Sequence, residues 1–245
     1  MQDRYVGDCG DYAKVKILNA FKDWGLTVGV NWYKVSDLGF EKKADGSFKQ
    51  DDGKYRVYDD VHSIADLEKK LPDMVFFDEE VPVEGREEWH QRAREALKDC
   101  KVVFLDPDNG IRCKSVGKTS KRSVKYVLHD EIKDYLADGK TVIVYNHRCR
   151  KKETKYFKDI YDLLQKEGVD VDARDIGVIT YKKGTTRDFL VFTTKNKNWD
   201  YFINVKLKSA TFFDDSSDWE IGKLFYRGSF IPENSELADS LYYFD

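Results

Sequence analysis

Lys101-Val102-Val103-Phe104-Leu105-Asp106-Pro107-Asp108-Asn109-Gly110 decides how this chain is read. Four apolar residues in a row, with no polar residue alternating between them, are the pattern of a strand covered on both faces, which is the situation of a parallel strand flanked by helices. The run stops abruptly in two carboxylates and an amide. Ligands of open α/β sheets bind just beyond the carboxyl ends of their strands, so Asp106, Asp108 and Asn109 are the first candidates for catalytic groups. Pro107, Asn109 and Gly110 are also turn formers, and the same residues would serve if the segment did no more than reverse the chain.

The alternation of elements continues on both sides. Upstream, Ala13–Trp24 carries Val15, Leu18, Ala20 and Phe21 near helical spacing, with Gly25 placed to end the helix. Leu26–Val35 reads as a strand. Ser63–Leu71 is a short helix with Ser63 as cap and Asp66 in the capping-box position, followed by the strand-like Met74–Phe77. Gly85–Cys100 is a charged helix leading into the strand that ends at Asp106. Downstream, Val124–Leu136 is predicted as an amphipathic helix, Thr141–Tyr145 as a buried strand, and Thr154–Glu167 as a helix stopped by Gly168. Ile176–Tyr181 and Phe189–Thr194 flank a polar connection and read as a hairpin. The expectation is an α/β, Rossmann-like, doubly wound, mostly parallel sheet with an antiparallel C-terminal hairpin, in a single domain over residues 1–245. The aromatic stretch 199–245, with strand-like pieces at Phe202–Leu207 and Leu224–Phe230, is expected to pack on that sheet. The segment Leu38–Lys54 has no periodicity and reads as a loop, a candidate lid.

Composition sets outer limits. A chain of 245 residues with 41% hydrophobic and 36% charged residues is globular, and 15 Tyr, 15 Phe and 5 Trp make it rich in aromatic rings. No apolar run reaches the roughly 18 to 20 residues that span a bilayer, and Met1-Gln2-Asp3-Arg4 lacks the apolar core of a signal peptide, so the expected place is the cytoplasm and no membrane partner is expected. Cys9, Cys100, Cys113 and Cys149 are scattered without a C-x-x-C pair and read as free thiols. The net charge of −3 excludes a surface that is cationic all over. Positive charge is nonetheless clustered: Arg112, Lys114, Lys118, Lys121, Arg122 and Lys125 run without an acidic residue, and Arg148, Arg150, Lys151 and Lys152 form a second group. If the strands before them are neighbours, both clusters reach the mouth that holds Asp106 and suit a phosphate-bearing partner, a nucleotide or nucleic acid.

Three segments together carry a resemblance. Asp3–Lys14 (DRYVGDCGDYAK), Phe104–Gly110 (FLDPDNG) and Val144–His147 (VYNH) are similar to a family of hypothetical proteins of bacteria and their phages. More remotely, the order of elements and the Asp-Pro after a central strand resemble Rossmann-like S-adenosylmethionine-dependent methyltransferases, especially those that modify amino groups of nucleic acids and end their catalytic strand in Asp-Pro-Pro-Tyr. Asp106 and Pro107 match that motif, whereas Asp108 and Asn109 stand where it has proline and an aromatic residue. The resemblance implies S-adenosylmethionine as cofactor, with Asp106 accepting hydrogen bonds from an exocyclic amine. A glycine-rich turn after the first strand is missing, since Gly25, Gly29 and Gly39 are scattered. Tyr145, Trp32 and Tyr33, near strand ends, are candidates for stacking on a base, although rings at such positions also build cores.

The same residues admit a different chemistry. Asp106 and Asp108 offer hard oxygen ligands of the kind Mg²⁺ or Mn²⁺ prefers, with Asn109, Asp8 or Asp11 completing the shell. Lys14, Arg150 or Arg187 would then stabilise charge on a phosphoryl group, and Asn146 stands beside them as a substrate contact. His147, following a buried strand amid Asn146, Arg148 and Arg150, is the histidine expected to move a proton. His62, His90 and His129 are expected at the surface, and no spacing lets them bind zinc. Gly117-Lys118-Thr119 mimics the end of a phosphate-binding loop but has Arg112 where the loop's first glycine belongs. A binding module that retains the architecture without the chemistry is the third reading.

Overall fold

The computed structural model describes residues 6–35, 54–148, 151–193, 218–225 and 229–232. Its centre is one eight-stranded sheet in the order β10-β9-β7-β8-β6-β3-β1-β2, where β1 is Val28–Asn31, β2 Val75–Phe77, β3 Val102–Leu105, β6 Thr141–His147, β7 Ile176–Tyr181, β8 Arg187–Phe192, β9 Trp219–Phe225 and β10 Ser229–Pro232. The strands β2, β1, β3 and β6 are parallel, β8 runs against β6, and β7, β9 and β10 each run against their neighbours. Two further two-residue strands, β4 (Gly110–Ile111) and β5 (Tyr126–Val127), pair with each other beside this sheet. The protein is therefore α/β with a mixed sheet.

The apolar run of β3 shows why its residues do not alternate with polar ones. Val103 and Leu105 pack into one core with Trp89, Ala93, Ile132, Tyr135, Phe157 and Leu164 from α3 (Arg86–Ala96), α4 (His129–Ala137) and α5 (Glu153–Lys166). Val102 and Phe104 point the other way, into a core with Ala13, Ile17, Leu18, Phe21, Ile64 and Leu67 from α1 (Cys9–Asp23) and α2 (Ile64–Glu68). Helices thus cover both faces, and each large apolar side chain taken fully from water stabilises the fold by roughly 1.5–3 kcal/mol.

Local chemistry accounts for the element boundaries. α1 begins at Cys9, four residues before its apolar periodicity, because the Asp8 carboxylate accepts from the backbone N–H groups of Gly10 and Asp11. β1 is only four residues long. After it the Trp32 N–H still donates to the Phe77 carbonyl at 3.2 Å, and Tyr33 then adopts a φ of 47°, in the left-handed region that a side chain seldom enters. Ser63 caps α2 as expected, accepting from the Asp66 N–H while Asp66 accepts from the Ser63 hydroxyl. The predicted helix over Val124–Leu136 is divided: a 3-10 turn over Lys121–Lys125 leads into β5, and α4 starts only at His129. Tyr126 and Val127 pair with Gly110 and Ile111, and that pairing overrides the helical pattern.

The tail enters the sheet through β9, which pairs with β7 from Gly177 opposite Lys223 to Tyr181 opposite Trp219. The strand expected over Leu224–Phe230 is instead the end of β9 and the start of β10, with Ser229 opposite Phe225. The candidate lid, apart from Lys54, and the strand expected at Phe202–Leu207 lie outside the described residues. Among those described, no helix is long and apolar enough to cross a membrane.

Candidate functional site

The carboxyl ends of β1, β3 and β6 face the same edge of the sheet as the start of the reversed β8, and the N-terminus of α1 returns to that edge. This convergence brings together side chains from four distant segments. The Lys14 ammonium, on the second turn of α1, lies 2.9 Å from Asp106 and 2.9 Å from Asp11, and 4.7 Å from the centre of the Tyr145 ring. Asp11 also accepts from the Gly7 N–H at 2.8 Å. Asp8 takes Arg187 at 2.8 Å, and Arg187 continues to the Tyr145 hydroxyl at 3.2 Å and to the carbonyls of Lys183 and Thr185. Gly10 permits this approach, because a Cβ there would stand 2.6 Å from the Arg187 Nε.

Lys14 and Asp106 are almost wholly buried. Burial opposes the charge on Lys14, but the Asp106 and Asp11 carboxylates outweigh it and hold the ammonium well above its ordinary pKa. Burial likewise pushes the Tyr145 phenol up to about 12. Asp8, Asp11, Lys14, Asp106 and Arg187, all singled out in the sequence, therefore form one connected network, joined through Tyr145, in which three carboxylates face two cations.

The rest of the motif after β3 has other partners. Asp108 lies 3.3 Å from the Lys125 ammonium, and the Asn109 N–H donates to the Lys125 carbonyl. Asn146 is buried on β6; its Oδ1 accepts from the Ile111 N–H at 2.7 Å and its amide nitrogen donates to the Tyr156 hydroxyl. Gly110 has a φ of 106°, and a Cβ on it would fall 1.7 Å from Asn146 Oδ1. Asn146 thus pins the loop after β3 against β6, and Gly110 is the residue that lets it come so close.

Beyond this clamp opens a cavity of about 660 Å³, walled by Asn109 and residues 111–115 on one side, by Tyr126 and His129 behind, by Asn146, His147 and Arg148 at the end of β6, and by Lys151 with Tyr156, Asp159, Ile160 and Leu163 of α5. His147 is exposed at its rim with its ring edge-on to Tyr145, and partial desolvation together with the Arg187 and Lys14 charges holds its pKa below the ordinary value. The two basic clusters do converge here, but their charges are largely spoken for. Arg112 binds Glu167 at 2.8 Å, Arg148 binds Asp188 at 2.6 Å and also Glu153, Lys151 binds Asp159 at 2.8 Å, and Lys118 binds Asp130 at 2.6 Å. Arg150 and Cys149 lie outside the described residues.

Two expectations change. Trp32 and Tyr33, with no exposed surface, are core residues, and their polar ends are tied to Glu68 at 2.8 Å and Glu131 at 2.9 Å; Tyr145 is also buried. His90 and His129, expected at the surface, are buried: His90 packs edge-on to Tyr135, and His129 stands against Arg112 at the back of the cavity. The cavity-lining Arg112, Tyr126, His129 and Tyr156 were not singled out as site residues from sequence. The apolar Tyr126-Val127-Leu128 just before His129 was a signal that this histidine follows a buried strand rather than riding an exposed helix face.

No protein-family model matches the chain, and a search of curated proteins finds no match. What fold and site define together is an α/β protein with a mixed sheet, a buried ion-pair network at the carboxyl edge of its central strands and a cavity beside it.

Proposed function

We propose that this chain is a nucleotide- or nucleic-acid-directed enzyme of the Rossmann-like, S-adenosylmethionine-dependent methyltransferase kind, with the cavity beside β6 as the seat of its substrate. The observation that carries this is the position of the cavity: it opens at the carboxyl edge of the parallel strands, directly beyond the Asp106–Gly110 segment, where open α/β sheets bind their ligands. Its walls of Tyr126, Tyr156, Ile111, Ile160 and Leu163 offer flat apolar surface, and Asn109, Asn146, His147 and Arg112 supply polar contacts. The order β2-β1-β3-β6, followed by a reversed strand and then β7, supports the same class, whose order of elements it resembles.

The methyl donor itself finds no seat among the described residues at the end of β1. Trp32 and Tyr33 fill that end, and the Lys14 ammonium occupies the space between Asp11 and Asp106. No step is therefore assigned to it, and methyl transfer as the reaction class rests on the resemblance. Mg²⁺- or Mn²⁺-dependent phosphoryl transfer through Asp106 and Asp108 has less support. Each of these carboxylates already faces an ammonium, and among the described residues no three His, Cys, Asp or Glu side chains are grouped to hold a metal ion.

A thermal-shift comparison tests the reading, because a ligand that binds only the folded chain raises its melting temperature. The expected result is stabilisation by nucleotides that is lost when Tyr156→Leu and Asn109→Ala alter the cavity, together with stabilisation by S-adenosylmethionine in the absence of metal. Stabilisation by Mn²⁺ that disappears in Asp108→Asn would replace methyl transfer with the metal-dependent reading. No shift with any of them would leave a binding module for some other ligand.

A further inference from the structure

The back wall of the cavity holds two buried groups whose hydrogen-bonding capacity is only partly used. Arg112 and His129 have 7% and 0% of their surface exposed, and both line the cavity. The Arg112 guanidinium donates through Nη1 to the Val116 carbonyl at 2.9 Å and through Nη2 to Glu167 at 2.8 Å, with Nη2 also 3.4 Å from His129 Nδ1. A guanidinium has only donors, so the His129 Nδ1 facing it must be the acceptor and the ring proton must sit on Nε2. Burial and the Arg112 charge push the His129 pKa down to about 4, consistent with a neutral ring. The Nε2–H of His129 and the Nε–H of Arg112 are both buried without a partner among the described residues. Folded proteins rarely leave buried donors unpaired, and here both belong to residues that line the same cavity.

The missing partner is an acceptor, and charge decides which kind. Arg112 is already balanced by Glu167, Lys151 by Asp159 and Arg148 by Asp188, so the wall calls for neutral acceptors rather than a further anion. The tyrosine and aliphatic walls on either side fit a flat heterocycle. Resting on the reading of this cavity as a nucleotide site, we propose that Arg112 and His129 recognise the acceptor edge of a keto-bearing nucleobase, guanine above the others, because its O6 and N7 stand side by side as two acceptors. Adenine and cytosine place an amino donor where guanine and uracil have a carbonyl, and would set donor against donor.

Titration calorimetry of the full chain at pH 7.5 without metal, with GMP, UMP, AMP and CMP in turn, tests this. The expected order puts GMP tightest and AMP and CMP weaker by about tenfold or more, the discrimination a good set of base-edge contacts supplies. His129→Phe keeps the ring and removes its donor, so it should bring GMP down to the AMP level while leaving AMP unchanged. Lys114→Ala, at the exposed mouth, should weaken all four alike. Equal affinity for the four bases, or a guanine preference that survives in a folded His129→Phe, overturns base recognition while sparing the cavity as a nucleotide site. Failure of every nucleotide to bind overturns both. If His129→Phe does not fold, the four-nucleotide series on the unaltered chain still decides.

Discussion

Around Asp106, Lys14 has a carboxylate on either side and Asp11 also takes the Gly7 N–H, whereas at the back of the neighbouring cavity Arg112 and His129 keep donors that no described residue receives. Both regions are buried, both are polar, and Gly110 and Asn146 lie between them. Their difference is one of completion. The Lys14 network closes the carboxyl edge by giving each charge a partner of opposite sign inside the chain, so its polar groups serve to bind the N-terminal segment and α1 to β3, β6 and β8. The cavity wall has its charges matched but its hydrogen bonds left over, which is the condition of a surface built to receive another molecule.

The largest expected effect strikes the hinge between the two regions. Gly110→Ala forces a Cβ to within 1.7 Å of Asn146 Oδ1 at a backbone angle that alanine disfavours, and should destabilise by on the order of 5 kcal/mol or abolish soluble expression, as read by urea unfolding. Wild-type stability in this variant would mean that the loop is not clamped and that the two regions are not separated as described. Next comes Lys14→Met, which leaves Asp106 and Asp11 buried without their cation and should cost about 3–5 kcal/mol. A cost near zero would erase the contrast, since the network would then be no better completed than the cavity wall.

The third prediction is a pH dependence carried by the cavity side. The folded-state pKa of His129, about 4, lies below the ordinary 6.5, so the unfolded chain takes up a proton first as the pH falls. The stability owed to the neutral ring is fully present above pH 6.5 and is lost progressively as the pH falls from 6.5 towards 4, by up to about 3 kcal/mol. Melting curves at pH 7.5, 6, 5 and 4.5 should therefore fall more steeply for the wild type than for His129→Phe, in which every other titrating group is shared. Parallel curves would mean that the ring is not held neutral against Arg112. The smallest effect belongs to Lys114→Ala, at an exposed position, where the melting temperature should correspond to a change within about 0.5 kcal/mol.

Much of this arrangement was legible before folding. The unbroken Val102–Leu105 run announced a strand covered on both faces, and the abrupt carboxylates after it announced the edge where side chains gather. Asp8, Asp11, Lys14, Asp106 and Arg187 were each marked, because charged residues next to apolar runs stand out in a sequence. What they do together was not legible: Lys14 and Asp106 are 92 residues apart, and nothing local says that an ammonium will occupy the place where the carboxylate pattern allowed a metal ion. His129 escaped for the opposite reason. The 3.6-residue period over Val124–Leu136 placed it on a helix face, and only the pairing of Tyr126 and Val127 with Gly110 and Ile111 cut that helix short and turned the histidine inward.

The sequence by itself determined the alternation of helices and strands and the edge of the sheet that carries the polar residues, because hydrophobic periodicity, capping groups and glycine stops act over a few residues and are written where they act. Only the tertiary structure decided which charges neutralise each other, which donors are left over and which aromatic rings are core. Those outcomes depend on segments that meet across the sheet, where burial strips away water and each polar group must find its partner in whatever the fold has brought within about 3 Å.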